Sequence, residues 1–351
     1  MDTSVMITLG FLVFAIVMFA WEKIPLSITA MVVAVGLHLS GVLSAKEAFA
    51  GFVDPNVLLF MGMFVIGEAF FATGVAVGVG NVVHKFAKTE TSLLVAIMMI
   101  TGILSGFLSN TGTAAVLIPV IIGICKKSGF KQTKLLMPLV FAAAMGGNIS
   151  LIGAPGNMIA QAGLQQAGLG SFGFFDYGLV GLPILIVGTI FYATIGKRFL
   201  PDAPSHQPDG AFESNEDYSH VPSWKKWTSA FVLILTVGAM IFEKQLGVKL
   251  YVSAWVGALV LVATNVISET AAVKSIDMKT IMLFAGSMAL GDAMVKTGTG
   301  SVIADIIVNS LGASPSPIVV LVVIFVLGVF MTNFMSNTAT CALLVPIGLS
   351  L

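Results

Sequence analysis

Leu108–Val120 reads LSNTGTAAVLIPV and Met335–Ile347 reads MSNTATCALLVPI. In each, a Ser-Asn-Thr tripeptide lies in apolar surroundings with a proline ten residues after the serine, Pro119 after Ser109 and Pro346 after Ser336. Two matched polar points in such a context point to one shared site. The match spreads outward: FMGMFVIGEAFFATG at Phe60–Gly74 aligns with FAGSMALGDAMVKTG at Phe284–Gly298, and Glu22-Lys23 aligns with Glu243-Lys244. The chain is read as an internal duplication, its small drifts in offset being loop insertions.

Composition sets the solvent. Hydrophobic residues make up 57% of the 351 and charged residues 10%, with a mean hydropathy of +1.01, whereas soluble domains carry about a quarter charged residues. An all-α polytopic membrane protein is expected. The net charge is zero and no basic block occurs, so nucleic acid is a poor candidate for a partner. Cys125 and Cys341 fall in apolar helical sequence and read as small buried hydrophobes. The N-terminus lacks a basic leader and a small-residue cleavage site, so it reads as a first span that is kept. His38, His84, His206 and His220 show no metal-ligand spacing and receive no role.

Apolar runs able to cross roughly 30 Å of hydrocarbon lie near Val5–Ala20, Leu26–Leu43, Asn56–Thr73, Leu135–Gln161 and Gly178–Gly196, then Thr228–Phe242, Tyr251–Ile267 and Thr280–Val295. The stretch 93–125 is too long for one crossing and carries polar residues in its middle. Non-helical backbone at membrane depth survives only inside protein or along a water-filled cavity, so a re-entrant hairpin is predicted there, and another at 318–349. Residues 1–200 form the first repeat, with its broken helix at 135–161. Residues 201–227, holding His206, Pro208, Asp209, Glu213, Glu216 and Asp217, form a cytoplasmic linker, and 228–351 form an incomplete second repeat. An N-terminus outside places 13 of the 17 basic residues in cytoplasmic loops, as the positive-inside rule asks. Five crossings plus one hairpin per half turn the second half upside down, and inverted-topology repeats mark secondary transporters.

At a hairpin tip, Ser, Asn and Thr offer hydroxyls and a carboxamide, and the helix that follows aims unpaired N–H groups at the same place. That geometry attracts an anion without a buried cation. The competing reading is that the side chains only cap that helix. Ser105 and Thr332 lie four residues before their tripeptide serines, and Thr113 and Thr340 three residues after the asparagines. Such oxygen clusters suit Na⁺ or a water. Met145–Asn157, MGGNISLIGAPGN, cannot stay regularly helical and reads as a broken helix facing the first hairpin. Glu68 and Asp292, matched across the repeat, are acids within spans and candidates for coupling or proton relay.

These residues resemble the divalent anion:sodium symporters, whose hallmark is a Ser-Asn-Thr motif in each of two re-entrant hairpins. Both tripeptides, the Gly-Gly…Leu-Ile-Gly-x-Pro-x-Asn loop at Gly146–Asn157 and the order of spans carry the likeness over essentially the whole chain. The resemblance implies a homodimer in the plasma (inner) membrane, with a scaffold domain and a moving transport domain. It also implies elevator-type alternating access for di- or tricarboxylates such as succinate or citrate, or for sulfate, commonly with Na⁺. On this sequence, Asn110, Thr111, Asn337 and Thr338 would contact substrate carboxylate, with Ala154 and Pro155 in the substrate loop. Ser105, Ser109, Asn110 and the Gly153 backbone would form one Na⁺ site, and Thr332, Asn337 and Thr340 would contribute to its counterpart. Ala154 and Gly156 depart from the family pattern, which commonly has Ser or Thr and a second Pro there.

By the repeat, the counterpart of Gly146–Asn157 falls near position 373, beyond Leu351. The second repeat is thus expected to be truncated at its C-terminus, and the 351-residue chain is not expected to transport alone. The rival readings are a channel, since re-entrant loops also build filters, an anion exchanger without Na⁺ coupling, or an arsenite or Na⁺/H⁺ transporter of the same superfamily. An enzyme is disfavoured: no HExxH, GxSxG or Walker sequence occurs.

Overall fold

The structure, a computed structural model, describes residues 2–78, 89–201, 218–311 and 316–351. His84, Lys85, Lys88 and the linker residues from His206 to Asp217 lie outside that set. The described residues are all-α, and no strand occurs among them. In a chain this apolar, helices satisfy every backbone group internally, as hydrocarbon requires.

In chain order the helices are α1 (Thr3–Trp21), α2 (Leu26–Leu39), α3 (Ala45–Ala48), α4 (Pro55–Ala72), α5 (Glu90–Ser105), α6 (Asn110–Ser128), α7 (Thr133–Gly146), α8 (Pro155–Gln166) and α9 (Gly178–Thr194). They continue with α10 (Ser223–Ile241), α11 (Glu243–Leu246), α12 (Leu250–Ala263), α13 (Glu269–Ser275), α14 (Met278–Thr297), α15 (Thr299–Leu311), α16 (Pro317–Met331) and α17 (Asn337–Ser350). Among the described residues α1, α4 and α14 are long and apolar enough to cross a membrane unaided. α6 and α10 also run to 19 residues each, and the remaining helices are shorter. Short or amphipathic pieces, α3, α13 and α15, escaped a reading tuned to long apolar runs.

Corresponding positions of the two sequence halves adopt the same local structure. Ser44 and Ser268 cap α3 and α13, accepting from Glu47 N (3.3 Å) and Ala271 N (3.2 Å). Asp54 and Asp277 precede α4 and α14 and accept from Asn56 N (2.8 Å) and Lys279 N (3.1 Å). Each cap satisfies an N–H that the helix itself leaves unpaired. At the other end Thr73 and Thr297 bond back to Ala69 O and Ala293 O, each at 2.7 Å, and Gly74 (φ 74°) and Gly298 (φ 72°) end the helices in the left-handed region.

The chain divides into two compact units, and they cut across the sequence halves. One comprises Met1–Leu58, Met158–Ser171 and Asp277–Leu351; the other comprises Leu59–Asn157 and Phe172–Ile276. The first unit packs α2 against α14, and its core includes Phe19, Val33, Leu37, Leu43, Leu290 and Leu343. A Cβ on Gly286 of α14 would lie 2.4 Å from Ala30 O of α2. In the second unit the matching pair recurs, because a Cβ on Gly62 of α4 would lie 2.8 Å from the Cβ of Ala254 of α12. Positions 286 and 62, and 254 and 30, are partners in the repeat. Small residues let helix backbones approach where lipid supplies no hydrophobic drive between them. Each unit therefore joins the α2-type helix of one half to the α4-type helix of the other. The second unit's further core, around Leu94, Ile97, Met98, Ile121, Leu135, Leu139 and Leu185, holds α5, α6, α7 and α9 together.

Candidate functional site

The first tip lies in the second unit, between α5 and α6. A capping box starts α5: Thr89 Oγ1 accepts from Ser92 N and Ser92 Oγ from Thr89 N, both at 3.1 Å. The helix runs to Ser105, and after a short turn Ser109, extended at φ −64°, ψ 140°, caps α6 by accepting from Gly112 N at 3.0 Å. Ser109 is exposed, and its hydroxyl is used as a cap. Thr111 is also exposed, and Asn110 is half-buried.

Ser105 is fully buried and makes the central contacts. Its Oγ lies 2.7 Å from Ala143 O of α7 and 2.6 Å from the Asn110 carboxamide. With its nitrogen turned inward, Asn110 donates to Ser105 Oγ (2.6 Å), Ala143 O (3.1 Å) and Gly153 O (3.2 Å). One carboxamide end, one hydroxyl and two backbone carbonyls thus converge on one small volume.

The break between α7 and α8 supplies the carbonyls. Residues 147–154 leave the helix, and α8 restarts at Pro155, where a proline is tolerated because its missing N–H would be unpaired anyway. Ser150 Oγ donates to Gly106 O at the end of α5. Asn157 Nδ2 donates to Gly147 O and Ser150 O, each at 2.9 Å, and Tyr177 OH donates to Asn157 O at 2.8 Å. Asn157 therefore stitches the broken backbone together from within, as an internal partner for groups that lipid could not satisfy. Gly153 cannot be replaced without moving the backbone, since a Cβ there would lie 2.5 Å from Gly147 O and 3.0 Å from Gly106 O. Ala154 and Pro155 are half-buried beside it.

The second tip lies in the first unit, between α16 and α17. Ser336, at φ −63°, ψ 151°, caps α17 by accepting from Ala339 N at 3.2 Å. Thr332 Oγ1 hydrogen-bonds Asn337 Oδ1, the counterpart of the Ser105–Asn110 contact. Thr340 is buried and donates to Ser336 O at 3.1 Å, whereas the hydroxyl of Thr113, its buried counterpart, has no hydrogen-bond partner among the described residues. Thr332 and Asn337 are exposed and Thr338 is half-buried. Glu68 and Asp292 are half-buried within α4 and α14.

The set predicted for the first cation site is brought together in part. Ser105, Asn110 and Gly153 O meet; Ser109 is engaged as a cap; and Ala143 O joins them, which the sequence reading missed. No side-chain signal marked it: Ala143 lies one turn before the break, and its carbonyl also accepts from Gly147 N at 3.2 Å. As a test of fit to Na⁺, the two backbone carbonyls and the hydroxyl are hard oxygen donors of the kind an alkali cation takes, and the Asn110 carboxamide lies against all three.

A family model described as citrate transporter matches residues 16–351. The chain belongs to the citrate transporter family. The transporter YfbS of Escherichia coli, described as uncharacterized, is 33% identical over 211 residues, 60% of this chain and 35% of that protein. The chain thus spans about a third of that relative's length. An uncharacterized transporter of Haemophilus influenzae is 27% identical over 363 aligned positions, 98% of this chain and 76% of the relative. The sodium-dependent dicarboxylate transporter SdcS of Staphylococcus saprophyticus is 24% identical over 93% of this chain and 69% of its own length. The fold is that of the YdaH transporter of Alcanivorax borkumensis, with a TM-score of 0.60 over 99% of this chain and 82% of that one at 14% identity. The citrate transporter family and these relatives are transporters, not enzymes, and the resemblance to divalent anion:sodium symporters carried by the twin tripeptides agrees with them.

Proposed function

We propose that this protein is a secondary active transporter of divalent anions, a di- or tricarboxylate such as succinate or citrate, or sulfate, coupled to Na⁺. Asn110, Thr111, Asn337 and Thr338 contact the anion, with Ala154 and Pro155 in its loop. Ser105, Asn110, Ala143 O and Gly153 O hold one Na⁺, and Thr332, Asn337 and Thr340 contribute to a second. Bound Na⁺ supplies positive charge beside a site whose own side chains are neutral. The tip residues offer the anion hydroxyl and amide donors, and each cap holds the positive end of its own helix, α6 or α17, at its own tripeptide.

What carries the reading is the convergence of Ser105 Oγ, Ala143 O and Gly153 O on Asn110, which gives a tripeptide of the anion:sodium symporter type a cation's donor set. The duplicated sequence supports an inverted repeat and the bias of basic residues an N-terminus outside, while elevator-type exchange in a homodimer of the inner membrane is what the resemblance to the divalent anion:sodium symporters implies. Ala154, which offers no hydroxyl, leaves the preferred dianion to be identified by assay.

The test is thermal melting of the purified protein with succinate, citrate or sulfate, each in NaCl and in choline chloride. One of these anions should raise Tm in Na⁺ and much less in choline, and Asn110→Ala should abolish the rise. Equal stabilisation in both salts would favour exchange without Na⁺, and no stabilisation by any of them would remove the reading.

A further inference from the structure

Phe107 sits in the turn between α5 and α6, two residues before Ser109. Its ring lies nearly parallel to that of Phe174, with centroids 6.5 Å apart at 22°, and edge-on to that of Phe175, at 6.2 Å and 86°. Phe174 and Phe175 meet each other edge to face at 4.9 Å. Offset and edge-to-face pairs are the arrangements that aromatic quadrupoles favour. Both partners belong to the segment joining α8 to α9, so a loop far along the chain holds the turn of the first hairpin.

These contacts close a circuit. Phe174 O accepts from Leu151 N at 2.9 Å, inside the break between α7 and α8. The neighbouring Ser150 donates its hydroxyl to Gly106 O, and Gly106 is bonded to Phe107. Gly153 is wedged against the same frame, since Gly147 O and Gly106 O leave no room for a Cβ on it, and its carbonyl is one of the two that meet Asn110. The start of α9 backs this backbone as well, where a Cβ on Gly178 would lie 2.7 Å from Ile149 O. At the second hairpin the repeat counterpart of Phe107 is Phe334. It is 60% exposed, and its ring meets Phe330 of its own hairpin at 4.9 Å.

We propose that Phe107, held by Phe174 and Phe175, is a positioning residue for the cation site of the first tip. It supplies no oxygen to the site. Its ring keeps the hairpin turn and the broken backbone in register, so that Ser105 Oγ, Ala143 O and Gly153 O stand at a fixed spacing before an ion arrives. Donors that must be gathered at the moment of binding cost affinity, whereas donors already in place do not. The inference rests on the cation reading of this tip and adds what fixes its geometry.

The experiment measures the Na⁺ midpoint of the rise in Tm, titrating NaCl against choline chloride at constant ionic strength. Phe107→Ala should raise the midpoint about tenfold, as losing a group behind an ion's ligands commonly does, and Phe107→Tyr, which keeps the ring, should hold it near the wild-type value. Ser150→Ala should raise it as well, and the double variant should go no further than the larger single shift, because either change opens the same circuit. Phe334→Ala should leave it in place. A wild-type midpoint in Phe107→Ala, whatever its loss of Tm, overturns the positioning role while leaving the cation site standing. So do fully additive shifts in the double variant, a tyrosine variant as weak as the alanine one, or an equal shift in Phe334→Ala. No Na⁺ rise in wild type overturns the cation reading and the proposal with it. Should Phe107→Ala fail to fold, Phe107→Leu, which fills the space without a ring, is titrated in its place and judged by the same midpoint.

Discussion

The two hairpins carry the same tripeptide, the same serine cap and the same hydroxyl-to-asparagine contact, yet they stand in different surroundings. In α5, Leu93, Leu94, Ile97, Met98, Thr101, Gly102 and Ser105 are buried; in α16, a more apolar helix, no residue is. The first tip has α7 and the chain break behind it, and its Asn110 meets two backbone carbonyls. At the second tip Asn337 meets Thr332 of its own hairpin. Capping is thus a local property that a few residues determine, whereas a cation's donor set needs a second segment brought from some forty residues away, as Gly153 is from Ser109.

Substitutions at matched positions can break or sharpen that contrast. The largest effect is expected at Gly146, where a Cβ would lie 2.1 Å from Gly102 O. Gly146→Ala forces α5 and α7 apart and should cost about 3 kcal/mol. Leu321→Ala on the bare face of α16, where Leu321 is 66% exposed, should cost less than about 0.5 kcal/mol. Thermal melts in one detergent compare them, and similar losses would erase the distinction between the hairpins.

Next comes the hydroxyl behind each tip. Ser105→Ala strips a buried contact from Ala143 O and should cost roughly 1–3 kcal/mol, together with most of the Na⁺-induced rise in Tm. Thr332→Ala, at an exposed position, should cost less and leave most of that rise. Equal sensitivity to Na⁺ in the two variants would mean that the second tip has an equally complete donor set.

The caps should behave alike. Ser109→Ala and Ser336→Ala each remove one side-chain acceptor, from Gly112 N and Ala339 N, and each should cost about 1 kcal/mol. Faster hydrogen exchange at those two amides, by similar factors, would sharpen the claim that capping is local.

The smallest effect concerns a pair that the repeat does not duplicate. Lys296 Nζ donates to Glu47 at 2.8 and 2.9 Å, tying α3 to α14, whereas the corresponding positions of the other half hold Ala72 and Ala271. The hydrogen bond from Lys296, with help from Ser44, holds the Glu47 carboxyl down at about 2 instead of 4.5. A depressed carboxylate stabilises the fold above its unfolded value, and the contribution fades as pH falls from about 4.5 toward 2. The pair is solvent-exposed, so Glu47→Gln should change Tm little at pH 7 and flatten its fall over that acidic window.

Much of this was legible in the residues. The apolar runs gave nearly every long helix to within a few positions, because hydrocarbon leaves a spanning backbone little alternative to helix. The serines of the tripeptides were readable as caps, since capping depends on three or four neighbouring residues. The short helices α3 and α13 were missed: they never span, and their caps, Ser44 and Ser268, are ordinary in composition. Ala143 was missed for a different reason. Its contribution is a carbonyl that every residue owns.

The sequence by itself determined the duplication, the helical state, the twin tips and the break at Gly146–Asn157, because each follows from periodicity, composition or the backbone limits of Gly and Pro. Only the tertiary structure decided that the compact units exchange helices between the halves, through Gly62 with Ala254 and Gly286 with Ala30. It also decided that Asn110, and not Ser109, faces the carbonyls. Backbone oxygens carry no sequence signature, so the place where several of them meet is set by how the helices pack.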